Sequence, residues 1–187
     1  LNQKNDHYTG INSLIEVLYN NSKTICVILD NRITGMTGHQ ENPGSGKLAG
    51  GEPAHEMDIA TVVKALGAKN VVEVNPNDIK AMRKALDDAL ALDEASVIIT
   101  KWPCVLKKMD LAERSAWGNP FTTKYVVNED TCIGCKACIR SGCPAISMNE
   151  NKKSGIDASQ CVGCGICAQI CPKKAIEQAP KKEVAKI

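Results

Sequence analysis

Two closely spaced runs of cysteine constrain this chain more than any other feature of its sequence. The first run is Cys132, Cys135, Cys138 and Cys143, and the second is Cys161, Cys164, Cys167 and Cys171. In each run the first three cysteines are separated by two residues, and a proline follows the fourth. Because these runs hold all but two of the 10 cysteines and no export signal is visible, we expect bound metal in a reducing, cytoplasmic compartment rather than disulfides.

The spacing of the two runs favours iron–sulfur clusters over zinc. Three cysteines at short intervals let one loop reach three corners of a cubane, so the fourth ligand must come from elsewhere. In bacterial two-cluster ferredoxins, which share this spacing, the fourth cysteine of each run serves the other cluster. We therefore predict two [4Fe–4S] clusters that pass electrons. Their ligands would be the Cys132 set (Cys132, Cys135, Cys138 and Cys171) and the Cys161 set (Cys161, Cys164, Cys167 and Cys143).

The two runs form an internal repeat, each preceded by an acidic turn, at Asn128 and at Asp157. The last gap of the first run is one residue longer, and we expect a bulge at Gly142 to absorb it. Glycines between the ligands should let the backbone approach the inorganic sulfides. An apolar shell is predicted around both clusters, formed by Ile133, Ile139, Ile146, Val162, Ile166 and Ile170.

The region before the cysteines alternates helical and strand patterns. Apolar residues at Ile11, Leu14, Ile15 and Leu18 predict an amphipathic helix. Three strands are predicted at 24–29, 70–74 and 96–100, the first covered on both faces, with helices at 59–66 and from Ile79 to Leu90. The apolar face of the last helix would be Ile79, Met82, Leu86, Ala89 and Leu90. Such alternation predicts a parallel α/β sheet, and ligands of such sheets bind beyond the carboxyl ends of the strands.

These patterns predict four segments. They are an α/β domain at 1–107, an irregular linker at 108–124, a small α+β ferredoxin-type domain at 125–179 and a basic tail at 180–187. The chain opens without an initiator methionine, so we expect a fragment. Its net charge of +2 favours neither nucleic acid nor a membrane surface as a partner. The longest apolar runs are too short to span a bilayer.

A glycine-rich loop follows the first predicted strand. Asn31 offers an amide oxygen at the strand end, and backbone carbonyls of the next turn add oxygen ligands that suit Mg²⁺. The alternative is a plain turn.

Beyond the cysteine runs, Cys26 is expected to be a buried small residue and Cys104 a structural one. His39 and His55, on or near the loop, are expected to be surface or packing residues, and His7 has no readable role.

The stretch Asp30-Asn31-Arg32-Ile33-Thr34-Gly35-Met36-Thr37-Gly38-His39-Gln40, followed by Asn42-Pro43-Gly44, resembles the second half of the thiamine diphosphate motif of 2-oxoacid:ferredoxin oxidoreductases. Together with Pro103-Cys104-Val105-Leu106 before a two-cluster module, residues 9–179 resemble the C-terminal part of the alpha subunits of indolepyruvate:ferredoxin oxidoreductases.

This resemblance implies a thiamine diphosphate-binding fold, of which the chain holds a part, and a Mg²⁺ ion bound by the Asn31 side chain and the Ile33 carbonyl. Thr34, Gly35 and Met36 would line the diphosphate and thiazolium. The family's preceding Gly-Asp motif is absent from residues 1–8. The activating glutamate of the family belongs to an earlier domain, so no catalytic residue is assigned and the chain alone should not turn over substrate.

The resemblance also implies the reaction: oxidative decarboxylation of aryl pyruvates such as indolepyruvate to aryl-acetyl-CoA. The implied partners are the 2-oxoacid, coenzyme A, ferredoxin as electron acceptor and a smaller beta subunit. Three alternatives stay open at this point. They are a stand-alone ferredoxin-like electron-transfer module, an oxidoreductase for another 2-oxoacid, and a zinc-bound interaction module.

Overall fold

The structure is a computed structural model that describes residues 10–118 and 120–180. The chain divides after Lys108 into two compact units, which we call the α/β unit and the cysteine unit. Residues 1–8, where the Gly-Asp motif was sought and where His7 lies, are outside the described residues, as is nearly all of the predicted basic tail.

The α/β unit is built on a three-stranded parallel sheet, as its alternating pattern predicts. The elements in chain order are α1 (Gly10–Tyr19), β1 (Ile25–Asp30), α2 (Ile59–Ala65), β2 (Asn70–Val74), α3 (Ile79–Leu90) and β3 (Ser96–Lys101). The strand order is β1-β3-β2, so β3 pairs in parallel with both neighbours. Ile98 and Ile99 of β3 are fully buried, which places the centre of the core on this strand.

Local chemistry sets the limits of the helices. Asp58 and Asp78 cap the N-termini of α2 and α3, and each side chain accepts a 2.9 Å hydrogen bond from the backbone N–H three residues on. Gly67, with a φ of 102°, ends the turn after α2. These boundaries agree with the predicted ones to within one residue.

Two details of the predicted α/β packing differ from the structure. Strand β1 is only partly covered: Cys26 and Ile28 pack against one core cluster and Ile25 against the other, but Leu29 is 50% exposed. Helix α3 buries Ala85 and Ala89, whereas Leu86 and Leu90 of the predicted face are 37% and 65% exposed. The cause is close approach of the helix to β2 and β3, which brings small side chains rather than leucines to the interface.

The cysteine unit has two short antiparallel pairs. Strand β4 (Tyr125–Val127) pairs with β7 (Ile176–Gln178), and β5 (Ile146–Met148) pairs with β6 (Ser154–Ile156). A 3₁₀ helix at Ile139–Ser141 follows the first cysteine triplet, and helix α5 (Ile166–Ile170) contains Cys167, the last cysteine of the second triplet. Gly142 ends the 3₁₀ helix in the left-handed region, at φ 74°, where the bulge was predicted.

The segment predicted to be an irregular linker contains a helix, α4 (Leu111–Ala116). Asp110 and Glu113 form a capping box that supplies hydrogen-bond partners to the free N–H groups of its first turn. The polar composition of the segment concealed this helix, since α4 buries no side chain. In the described ranges, no helix combines the length and the apolar character that crossing a membrane requires.

Candidate cluster and cofactor sites

The Cys132 set converges on one cavity of the cysteine unit. Cys132, Cys135, Cys138 and Cys171 all line this cavity, together with Ser154 and residues around Pro172 and Ile176. Cys171 belongs to the second run by sequence, so the cysteines of this cavity come from both runs. Among the described residues, no three His, Cys, Asp or Glu side chains are grouped closely enough to hold a single metal ion.

The Cys161 set also lies together. Burial raises the pKa of the Cys167 thiol to about 11, and the neighbouring sulfurs of Cys164, Cys161 and Cys143 add to the rise. Cys143 comes from the first run, so this group is crossed in the same way. Each cysteine run therefore contributes its fourth member to the other group.

Hydrogen bonds to sulfur are concentrated in the Cys132 set. The backbone N–H groups of Ser154 and Gly134 lower the pKa of the Cys132 thiol. The Ala175 N–H donates to Cys171 Sγ at 3.2 Å, and the Ser154 hydroxyl lies 3.2 Å from Cys138 Sγ. Such bonds stabilise thiolates, which are the form that binds iron.

The glycines at the second position after each leading cysteine have a steric role that the sequence did not indicate. Gly134 and Gly163 both adopt positive φ, and a Cβ at either would collide with a backbone carbonyl of the other half, Lys152 O or Thr123 O. The glycines therefore let the two halves of the repeat interlock. Two members of the predicted apolar shell are instead exposed, Ile133 by 58% and Val162 by 38%.

The glycine-rich loop begins at the carboxyl end of β1, where the predicted cofactor residues lie. The Asn31 side-chain oxygen accepts the Ile33 N–H at 3.2 Å, and Thr34 and Gln40 form an antiparallel bridge that closes the turn. Gly35 packs beside the Asn31 amide, whereas Met36 is 90% exposed. The amide and carbonyl oxygens at this turn are of the kind that coordinates Mg²⁺, which also binds phosphate oxygens, so the donor set fits a magnesium-bound diphosphate.

A buried charge network supports this turn. Arg32, in the left-handed region at φ 61°, donates to Asp30 at 3.2 Å and to Glu56 at 2.7 Å. Lys107 donates to the Arg32 carbonyl at 3.0 Å. Asp30, Arg32 and Lys107 are all less than 10% exposed. Sequence reasoning missed Glu56 and Lys107, because residue spacing along the chain does not show contacts made over such separations.

The remaining candidates lie around the same loop without a defined role. The Cys104 N–H donates to the Asn31 carbonyl at 2.9 Å, so this cysteine borders the turn through its backbone. His39 and His55 are exposed. Cys26 is half-buried against the core of the α/β unit rather than fully buried.

Comparison with known proteins identifies the class. Residues 6–100 match the family described as thiamine pyrophosphate enzyme, C-terminal TPP binding domain, and residues 125–178 match the 4Fe-4S dicluster domain. The chain belongs to the thiamine pyrophosphate enzymes, whose C-terminal cofactor-binding domain it joins to a 4Fe-4S dicluster domain.

Curated relatives narrow the class further and bear out the resemblance to indolepyruvate oxidoreductase subunits. Indolepyruvate oxidoreductase subunit IorA is 41% identical in Pyrococcus abyssi and 42% identical in Thermococcus kodakarensis, each over 95% of this chain. The chain spans 27% of the length of each of these relatives. Pyruvate synthase subunit PorD of Thermotoga maritima is 38% identical over 42% of this chain and 81% of its own length.

Proposed function

We propose that this chain forms part of a 2-oxoacid:ferredoxin oxidoreductase that decarboxylates aryl pyruvates such as indolepyruvate to the aryl-acetyl-CoA. The observation that carries the proposal is the joining, in one chain, of a TPP-binding domain to a dicluster domain. The aryl pyruvate substrate rests on the relatives named for indolepyruvate. The proposed partners are coenzyme A, a smaller beta subunit and an external ferredoxin, and the proposed compartment is the cytoplasm.

The bound groups supply the reactive chemistry: thiamine diphosphate stabilises the carbanion left by decarboxylation, and the two [4Fe–4S] clusters carry single electrons. The residues of this chain bind and orient these groups. The Cys132 set and the Cys161 set are the proposed cluster ligands, supported by their crossed grouping.

At the loop, Asn31 and the Ile33 carbonyl are the proposed Mg²⁺ ligands, and Thr34, Gly35 and Met36 the proposed lining of thiamine diphosphate. The Asp30–Arg32–Glu56 network and Lys107 hold the backbone between these ligands. The buried Asp30–Arg32 ion pair and the bond from Lys107 fix the arrangement of the turn, which favours binding because little conformational freedom is lost when the cofactor arrives.

A first experiment tests the clusters. Anaerobically purified protein should contain about eight irons and as much acid-labile sulfide, the content of two cubane clusters. A protein that holds zinc and lacks sulfide would contradict the proposal and support the interaction module.

A second experiment tests the loop. In the assembled enzyme, Asn31→Ala should weaken Mg²⁺ and thiamine diphosphate binding at least tenfold, while iron content stays that of the wild type. Asn12→Ala, on the exposed face of α1, is the control and should leave both unchanged. Equal cofactor affinity in Asn31→Ala and Asn12→Ala would remove Asn31 from the site.

One further candidate function has specific support, an electron-transfer module that uses no thiamine. The match to PorD supports this candidate, because it covers 81% of that subunit and only 42% of this chain. This alternative predicts that thiamine diphosphate has no effect on the protein. Calorimetric titration with Mg²⁺ and thiamine diphosphate distinguishes the two functions.

A further inference from the structure

The two halves of the cysteine unit can be compared position by position. Counted back from the first cysteine of each run, Lys124 corresponds to Lys153 and Tyr125 corresponds to Ser154. Each pair occupies the beginning of an equivalent strand, β4 in one half and β6 in the other. A difference between the two cluster environments should therefore arise where the paired residues differ.

The lysines make the same contact in both halves. Lys124 donates to the carbonyl of Cys161, and Lys153 donates to the carbonyl of Cys132. Each ammonium group thus lies beside the leading cysteine of the opposite run. These two lysine contacts are matched, so this pair of residues does not distinguish the two cluster environments.

The next position is where the halves differ. Ser154 is 2% exposed, and its hydroxyl oxygen lies 3.2 Å from Cys138 Sγ. A thiolate bound to iron can only accept a hydrogen bond, so the hydroxyl is the donor in the loaded protein. The Ser154 side chain also hydrogen-bonds Cys132, a ligand of the same set. Met148 Sδ, at 4.0 Å, is a more distant and uncharged acceptor.

Tyr125 does not make the corresponding contact. Its hydroxyl faces the backbone at Gly165 and accepts a hydrogen bond from Gln178 Nε2 at 3.4 Å. The tyrosine ring packs among the apolar residues of the unit. Among residues 10–118 and 120–180, a hydroxyl hydrogen bond to a ligand sulfur is therefore found in the Cys132 set and not in the Cys161 set.

We propose that Ser154 makes the two clusters unequal, raising the reduction potential of the cluster on the Cys132 set so that the first electron to enter resides there. This inference rests on the proposed cluster ligation. One electron added to a cluster increases the negative charge on its sulfurs, and no bond is formed or broken. A buried hydroxyl that donates to one of those sulfurs stabilises the reduced form more than the oxidised form.

Ser154 acts through Cys138 and is a positioning residue, so the decisive measurement is a potential. A redox titration of the iron-loaded chain with dithionite, followed by electron paramagnetic resonance, should resolve two one-electron steps. Ser154→Ala should make the higher of the two reduction potentials more negative and leave the lower one unchanged. The difference between the two potentials should therefore become smaller. Ser154→Thr, which keeps the hydroxyl, should restore this difference.

Tyr125→Phe is the matched control from the other half and should move neither step. Iron and sulfide content of each variant shows whether both clusters are present before the titration is interpreted. Three results would overturn the inference: a higher step that Ser154→Ala leaves unmoved, a shift of both steps together, or a single potential for both clusters in the wild type. Loss of iron and sulfide from the wild type would instead reject the proposed cluster ligation.

Discussion

The two units of this chain differ in the side chains that form their cores. The α/β unit buries aliphatic side chains around β3, with Val97, Ile98 and Ile99 at most 1% exposed. In the cysteine unit the main buried cluster consists of Cys138, Ile146, Cys167 and Ile176, so half of it is predicted cluster ligands. The first unit is stabilised mainly by apolar burial within the chain, whereas the second is expected to depend on the groups it binds.

Removal of the iron should produce the largest difference in stability between the two units. Chelation under reducing conditions should unfold the cysteine unit, because its four short strands enclose few apolar side chains without the clusters. The α/β unit should remain folded. Hydrogen exchange with mass spectrometry should show lost protection in β4 and β7 and retained protection in β3. If β4 and β7 stay protected from hydrogen exchange in the iron-free protein, the cysteine unit does not depend on its clusters for folding.

Truncation of the aliphatic core should give the opposite pattern. Ile98→Ala, at a position with 0% exposure, should lower the free energy of unfolding of the α/β unit by about 2–5 kcal/mol. Iron content should not change. Denaturant unfolding and iron analysis measure the two effects, with Leu90→Ala, at 65% exposure, as the control that should be near neutral. Loss of iron in Ile98→Ala would show that the units are not energetically separate.

The steric role of Gly134 and Gly163 can be tested within the cysteine unit. Gly163→Ala introduces a Cβ against the Thr123 carbonyl at a positive φ, which should destabilise the unit by about 1–3 kcal/mol and reduce iron retention. Gly155→Ala is the matched control, because a Cβ at that position meets no atom within 4 Å. Iron release to a chelator over time compares the two variants, and equal rates would reject the steric role.

The smallest expected effect concerns a helix cap in the α/β unit. Hydrogen bonds from the Thr61 side chain and backbone lower the pKa of Asp58 from its ordinary value of 3.8. The carboxylate therefore stabilises the folded state above that value, and this contribution is lost as the pH falls through the lower, folded pKa.

Asp58→Ala should accordingly reduce the free energy of unfolding by about 1 kcal/mol at neutral pH, and the deficit should shrink in acid. Urea unfolding across the acid range measures both. Asp58→Asn keeps the cap without the charge and should show a smaller deficit. A deficit in Asp58→Ala that does not change with pH would assign the effect to something other than the carboxylate.

Local patterns predicted the main helices and strands of the α/β unit because their causes lie in neighbouring residues. Asp58 and Asp78 cap helices through bonds that span three residues, and β-branched runs produced strands where expected. Two members of the predicted face of α3, Leu86 and Leu90, are exposed, because periodicity counts leucines as core residues. The face that packs on the sheet holds Ala85 together with Ala89 and Met82 of the predicted set.

In the candidate sites, some features were predicted from the sequence and others became visible only in the structure. The cysteine spacing predicted both crossed groups, and the motif after β1 predicted the position of Asn31 at the strand end. Lys107 was not predicted, because its contact with Arg32 joins residues 75 apart in the chain. Ser154 was visible in the repeat as the partner of Tyr125, but its contact with Cys138 depends on how the two halves pack.

By itself, the amino-acid sequence determined the kind of chemistry this protein carries, since ligand spacing and turn motifs depend on residues that are close along the chain. Tertiary structure decided which sulfurs receive hydrogen bonds and which charges lie beneath the cofactor loop. The physical reason is that hydrogen bonds and ion pairs act only over a few ångströms, and folding alone brings distant residues to that range.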